Sequence, residues 1–281
     1  MPGKSSLSQL LLNKRALAVA TALLVLASCS SSKRDDIYVE RPAEEFYNLG
    51  LSYLGEGDYA AAARNFDEVE RQHPYSVWAP RAQLMTAYTH YQADSYDEAI
   101  NTLDRFIQLH PGHPDIAYAY YLKAICYYEQ IADVERDQSM TRRAMEALEE
   151  VIARFPESSY ARDASLKLDL ARDHLAGQHM SIGRYYQRQG EHLAAINRFQ
   201  IVVRDFQTTT HVPEALHRLV ESNLALGITD EAQATAAVLG YNYPGSDWYL
   251  DSYALLTGED LRPLEDREGR SWISRVWGSV F

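Results

Sequence analysis

The feature that most restricts this chain is a spacing of small and bulky residues that returns five times. In its first occurrence Phe46, Leu49-Gly50 and Tyr53 share one helical period, Ala62, Phe66 and Val69 share a second, and Pro74 closes the unit. Residues three, four and seven apart stand on one face of a helix, so each set predicts an amphipathic helix with one buried stripe. Gly57-Asp58 separates the two, because glycine accepts the left-handed conformation that ends a helix. Pro74 cannot continue the second. Gly50 and Ala62 are small where two antiparallel helices cross closely, and Tyr53 and Phe66 fill the space around the crossing. The pattern recurs with Ala87, Tyr91, Ala99, Leu103, Phe106 and Pro111, the last 37 residues after Pro74. A third copy joins Tyr120–Tyr128 to Ala144, Leu148, Val151 and Pro156; its interval of 45 residues puts about eight extra between its helices, near Ile131 to Thr141. The fourth uses Gly183, Tyr186, Gly190, Ala195, Phe199 and Val202, with Gln207 in place of proline, and the fifth Leu216, Leu219, Gly227, Ala232, Leu239 and Pro244. Tyr160 to Ala176 reads as an added helix leading into the fourth.

These offsets are those of the tetratricopeptide repeat, one helix hairpin per unit. Strand signals are nearly absent. The expected fold is all-α, a right-handed α-solenoid of five tetratricopeptide hairpins over residues 42–245. Each hairpin buries a face on its neighbours and leaves a concave surface for extended peptides or partner proteins.

The chain opens differently. Lys4, Lys14 and Arg15 precede an apolar run from Ala16 to Ala27 that closes on Leu26-Ala27-Ser28-Cys29. A basic region, a short apolar stretch and small residues before a cysteine are the parts of a secretory signal, and the run is shorter than the ~20 residues a membrane span needs. The closing tetrapeptide resembles a bacterial lipobox. That resemblance implies a signal peptide at 1–28, cleavage before Cys29, and covalent diacylglycerol and N-acyl lipid on Cys29. Ser30 resembles the residues that let such a lipoprotein travel on to the outer membrane. Residues 29–41 read as a polar, lipidated linker. Losing residues 1–28, with three basic side chains and no acid, moves the formal charge from −12 to −15. So acidic a protein, with only Lys33-Arg34 and Arg142-Arg143 as basic clusters, is a poor nucleic-acid binder. Cys126 lies in the apolar run Ala124 to Tyr128 and is expected to be a buried, inert thiol.

Neither a catalytic constellation nor a phosphate-binding loop is present in the sequence, and the chain is expected to be no enzyme and to need no cofactor beyond its lipid. His110 and His113 have suggestive spacing for a metal, but they sit in a turn with two prolines and lack two further ligands nearby. No metal site is assigned.

Three further stretches carry a closer likeness. They are Asp104-Arg105-Phe106-Ile107-Gln108-Leu109-His110-Pro111 with His113-Pro114, then Phe155-Pro156-Glu157-Ser158-Ser159-Tyr160 with Asp163-Ala164, then Tyr185-Tyr186, Gly190, Ala195-Ile196-Asn197-Arg198 and Arg204-Asp205-Phe206. Together with the lipobox and five repeats, they resemble the BamD (ComL) family, lipoproteins of the outer-membrane β-barrel assembly (Bam) complex. The resemblance implies an outer-membrane protein, lipid-anchored at the periplasmic face. It implies partners in BamA, other Bam lipoproteins and unfolded outer-membrane β-barrel proteins. The C-terminal repeats are expected to dock on BamA, with Arg198 pairing with a BamA carboxylate and Asn197 beside it; a planar guanidinium suits that contact better than lysine. The N-terminal repeats are expected to receive unfolded barrel chains on a surface including His73, Tyr75, Trp78, Tyr88 and Tyr91. A tetratricopeptide lipoprotein scaffold coordinating peptidoglycan synthesis or cell division is the alternative. Residues 246–281 read as an extension in which Trp272, Ile273, Val276 and Trp277 fall at helical spacing. A partner-binding or membrane-surface helix is favoured there over a cap folded back on the last repeat.

Overall fold

Among the described residues, helix pairing begins after Pro42. Gly57, at φ 79°, ends a helix over Ala43–Glu56 (α1), and the Asp58 carboxylate accepts from the Ala61 amide at 2.9 Å to start Tyr59–Gln72 (α2). The computed structural model describes residues 41–259, and among them there are eleven helices and no strand. The rest are Ala79–Gln92 (α3), Tyr96–Leu109 (α4), Ile116–Tyr128 (α5), Ser139–Arg154 (α6), Ser159–Arg188 (α7), His192–Asp205 (α8), Val212–Ala225 (α9), Thr229–Asn242 (α10) and Asp247–Thr257 (α11). Cys29, the signal peptide, nearly all of the linker, and Trp272, Ile273, Val276 and Trp277 lie outside the described residues.

Each helix packs mainly on its neighbours in sequence, so the fold is an all-α tetratricopeptide solenoid. Its core is a row of clusters, each borrowing from the next hairpin. Phe46, Ala62, Phe66 and Val69 are joined by Ala82 of α3, and Ala124, Leu148 and Val151 by Ala164 and Leu168 of α7. The crossings are as tight as the small residues imply. A Cβ on Gly50 would come within 2.6 Å of the fully buried Phe66 ring, and one on Gly183 would overlap Phe199. The same fit recurs at Gly240, where an added Cβ would meet the Tyr249 ring at 2.5 Å.

Two departures from the sequence expectation concern helix limits. The added helix at Tyr160–Ala176 and the first helix of the fourth hairpin are one element, the 30-residue α7. Ser158 caps its start by accepting from the Ala161 amide at 3.1 Å. No proline interrupts the run, and Gly177 is kept in the helix because small size is needed there: a Cβ would approach the His211 ring at 3.3 Å. At ~1.5 Å per residue α7 is about 45 Å long. The second departure is α11, which lies inside the stretch assigned to the extension. Its Ser246 cap accepts from the Tyr249 amide at 3.2 Å, and the helix packs on α9 and α10.

The third hairpin has its long connection at 129–138. The buried Gln138 ties it internally, donating to the Asp133 and Arg136 carbonyls at 2.9 and 3.1 Å. His174 of α7 reaches the Ala132 carbonyl at 2.8 Å and holds the loop against the long helix.

Candidate functional site

On the fourth hairpin, Ala195, Phe199 and Val202 of α8 point inward and are fully buried. That fixes the register of what lies between them. Asn197 is exposed, and Arg198 is half-buried at the edge of the core. Three arginines of this region are matched: Arg184 grips both Glu214 oxygens at 3.0 Å, Arg204 pairs with Asp205 at 2.8 Å, and Arg218 with Glu221 at 2.8 Å, whereas the exposed Arg188 makes no salt bridge among the described residues. Arg198 makes no salt bridge among the described residues. Its charge is instead felt by His179 of α7, whose pKa is lowered first by burial and then by Arg198. A half-desolvated guanidinium without a carboxylate is suited to accept one from another chain. Leu193, one turn before Asn197, is 66% exposed and gives that face an apolar contact. It stands outside the buried α8 positions, so only the register set by Phe199 reveals it.

The five N-terminal residues fall in two groups near opposite ends of α3. His73 ends α2, Tyr75 stands wholly exposed on the turn, and Trp78 begins α3 with its ring 4.9 Å from Tyr47 on the first core cluster. Tyr88 and Tyr91 sit near the other end of α3, roughly 15 Å along a helix from Trp78. They lean on the second core cluster with ring centroids 6.4 Å apart. Tyr88, whose hydroxyl accepts from Gln92 at 2.8 Å, lines a groove with Leu51, Leu54 and Tyr59 between α1 and α3. Helical spacing shows that aromatics share a face but not which core each one leans on.

A buried polar network joins α7, α9 and α11. His217, 4% exposed, has Nδ1 2.8 Å from the Ser252 hydroxyl and Nε2 3.3 Å from the Glu221 carboxylate. Gln187 of α7 donates to Glu221 at 3.0 Å, and the Arg218 guanidinium lies 5.6 Å from the Trp248 ring centroid. Hydroxyl, imidazole and carboxylate line up, but Ser252 is fully enclosed and donates to the Trp248 carbonyl at 2.9 Å. No substrate carbonyl can reach it; the network fastens α11. Burial alone would raise the Glu221 pKa, but hydrogen bonds and charge from His217 and Arg218 outweigh it and hold the carboxyl at about 2. Relative to the ordinary value of 4.5, this stabilisation is complete above that pH and is lost as pH falls toward 2. Thermal unfolding followed from pH 5 to 2 should show this loss, and Glu221→Gln should flatten it.

His110 and His113 each place a ring 5.3 Å from the buried Phe106, so they shape the turn after α4. Among the described residues no cluster of three metal-ligating side chains occurs, and no helix is long and apolar enough to cross a membrane. The Cys126 thiol is fully buried, and burial pushes its pKa up to about 12. It should resist maleimide at neutral pH in the folded protein and react once denaturant opens the second core cluster, a difference that mass spectrometry reads directly.

Residues 39–239 match the model of the YfiO family, described as outer membrane lipoprotein. The chain belongs to this family. Within it, "Outer membrane protein assembly factor BamD" of Caulobacter vibrioides is 51% identical over 88% of this chain and 81% of its own length. The protein of the same name from Rickettsia prowazekii is 47% identical, over 87% of this chain and 97% of its own. That of Neisseria meningitidis serogroup A is 32% identical over 85% and 95%. The YfiO match spans nearly the whole tetratricopeptide body, from just before α1 to within α10, and includes both surfaces described above.

Proposed function

We propose that this chain is a non-enzymatic lipoprotein of the outer-membrane β-barrel assembly machinery. Membership of the YfiO family and relatives named as outer membrane protein assembly factors support that role. Lipid on Cys29 holds the chain at the periplasmic face of the outer membrane. The fourth and fifth hairpins dock on BamA, and the first two receive unfolded barrel proteins. Arg198 carries the docking assignment, as a half-buried cation without a carboxylate in an acidic protein, where Arg184, Arg204 and Arg218 are paired. For client chains, the groove at Leu51, Leu54, Tyr59 and Tyr88 offers the apolar and aromatic lining that an extended strand with aromatic side chains needs. Affinity purification of the protein from membranes, with a photo-crosslinking residue in place of Asn197, tests the reading. Recovery of BamA joined at that position is expected. Recovery of cell-wall synthases without BamA would replace this reading with the scaffold of peptidoglycan synthesis.

A further inference from the structure

The two edges of the first hairpins differ in a way that helix pairing does not require. α1 to α4 alternate in direction, so the start of α1 shares one edge with the 73–78 and 110–115 connections. The Tyr47 ring lies 4.9 Å from Trp78, and Glu70 pairs with Arg105 at 2.8 Å, which holds these three places side by side. On that edge Gln72 to Pro80 and Phe106 to Pro114 contain no Asp, Glu, Lys or Arg. Their tips are apolar: Tyr75 is wholly exposed, Val77 is 80% exposed and Leu109 60%. The opposite edge, at 57–58, 93–95 and 129–138, carries Asp58, Asp94, Glu129, Asp133, Glu135 and Asp137 instead.

Apolar side chains grouped on turns bury nothing within the fold and mark a surface that something else covers. The path of the chain points to what covers this one. Twelve residues, 30–41, separate Cys29 from Pro42 and span at most roughly 40 Å. They enter the fold at the start of α1, on the uncharged edge, and the acidic edge lies a fourteen-residue helix, about 20 Å, farther on. We infer that the uncharged edge rests in the headgroup region of the leaflet that holds the anchor, with Tyr75, Val77 and Leu109 reaching its acyl boundary; the inference rests on lipid at Cys29. A tyrosine among aliphatic side chains suits that depth, with its ring in apolar surroundings and its hydroxyl in water. Arg81, exposed and 5.9 Å from the Trp78 ring centroid, can meet a phosphate. Glu44, Glu45 and Asp115 on the same edge select zwitterionic lipid over an anionic surface. That tether and uncharged tips share one edge favours lipid over a protein partner.

With Cys29 acylated and Cys126 buried, a single introduced cysteine is the accessible thiol for a bimane label. Val77→Cys, Leu109→Cys and, on the opposite edge, Ala93→Cys are labelled in the full-length lipidated protein. Each is bound to phosphatidylcholine–phosphatidylethanolamine vesicles in which part of the lipid carries bromine high on its acyl chains. Quenching of at least about twofold is expected at 77 and 109, as for an interfacial contact, with none at 93. Adding Tyr75→Asp should lower the quenching at 109 and leave flotation with the vesicles intact. A chain that does not float overturns the anchor at Cys29 and this inference with it. One that floats but is quenched at neither tip, or equally at 93, overturns the inference alone. If the label at 77 instead responds to the periplasmic part of BamA, the tips are a protein contact.

Discussion

Phe199→Ala should destabilise the protein by about 3–5 kcal/mol, the range for emptying a fully enclosed aromatic site. The ring sits at the centre of the fourth hairpin, between Ala195 and Val202 and against Gly183. Helix backbones on both sides limit how far the site can collapse, which places the loss toward the upper end. The opposite change tests the same contact: Gly183→Ala puts a methyl group into the ring, and overpacking of this kind costs about 1–3 kcal/mol. Phe199→Leu in the Gly183→Ala background should recover part of that loss. Urea unfolding of the parent, the single variants Gly183→Ala and Phe199→Leu and the double variant measures the coupling, and simple additivity would show that the two residues do not share the crossing.

On the proposed docking to BamA, Arg198→Glu should weaken binding by about 2–5 kcal/mol, or roughly thirty- to several-thousand-fold, because reversal would turn an attraction into a repulsion at a partly desolvated site. Folding should be nearly untouched, since Arg198 makes no salt bridge among the described residues. Titration of the purified variant with the periplasmic part of BamA reads the affinity, and Arg198→Lys separates charge from the planar fork. A variant that unfolds, or that binds as tightly as the parent, would remove Arg198 from the interface.

The hairpins were legible in the sequence because both of their requirements are local. A crossing needs a small residue opposite a large one, and Gly50 with Phe66 or Gly183 with Phe199 states that requirement in the residues themselves. The continuity of α7 was harder to read, since two adjoining amphipathic stretches without a breaker look alike whether joined or stacked. The start of α11 does carry a local signal: Tyr243-Pro244-Gly245-Ser246 repeats the form of Phe155-Pro156-Glu157-Ser158, and both serines cap the helix that follows. The network of Arg184, Glu214, His217 and Ser252 was not legible at all. Its partners lie 30 and 35 residues apart and meet only after three helices have taken up their angles.

A solenoid made only of fourteen-residue helices could yield a little at every joint, like a chain of short links. Here α7 belongs to two neighbouring units at once, packing on α6 and α5 with its first half and on α8 with its second. A twist applied to the fourth hairpin must therefore turn the third with it. The loop that His174 and Gln178 hold against α7 braces the same span. The third and fourth hairpins are thus stiffened as one lever, whereas the joints before α5 are made only of short helices.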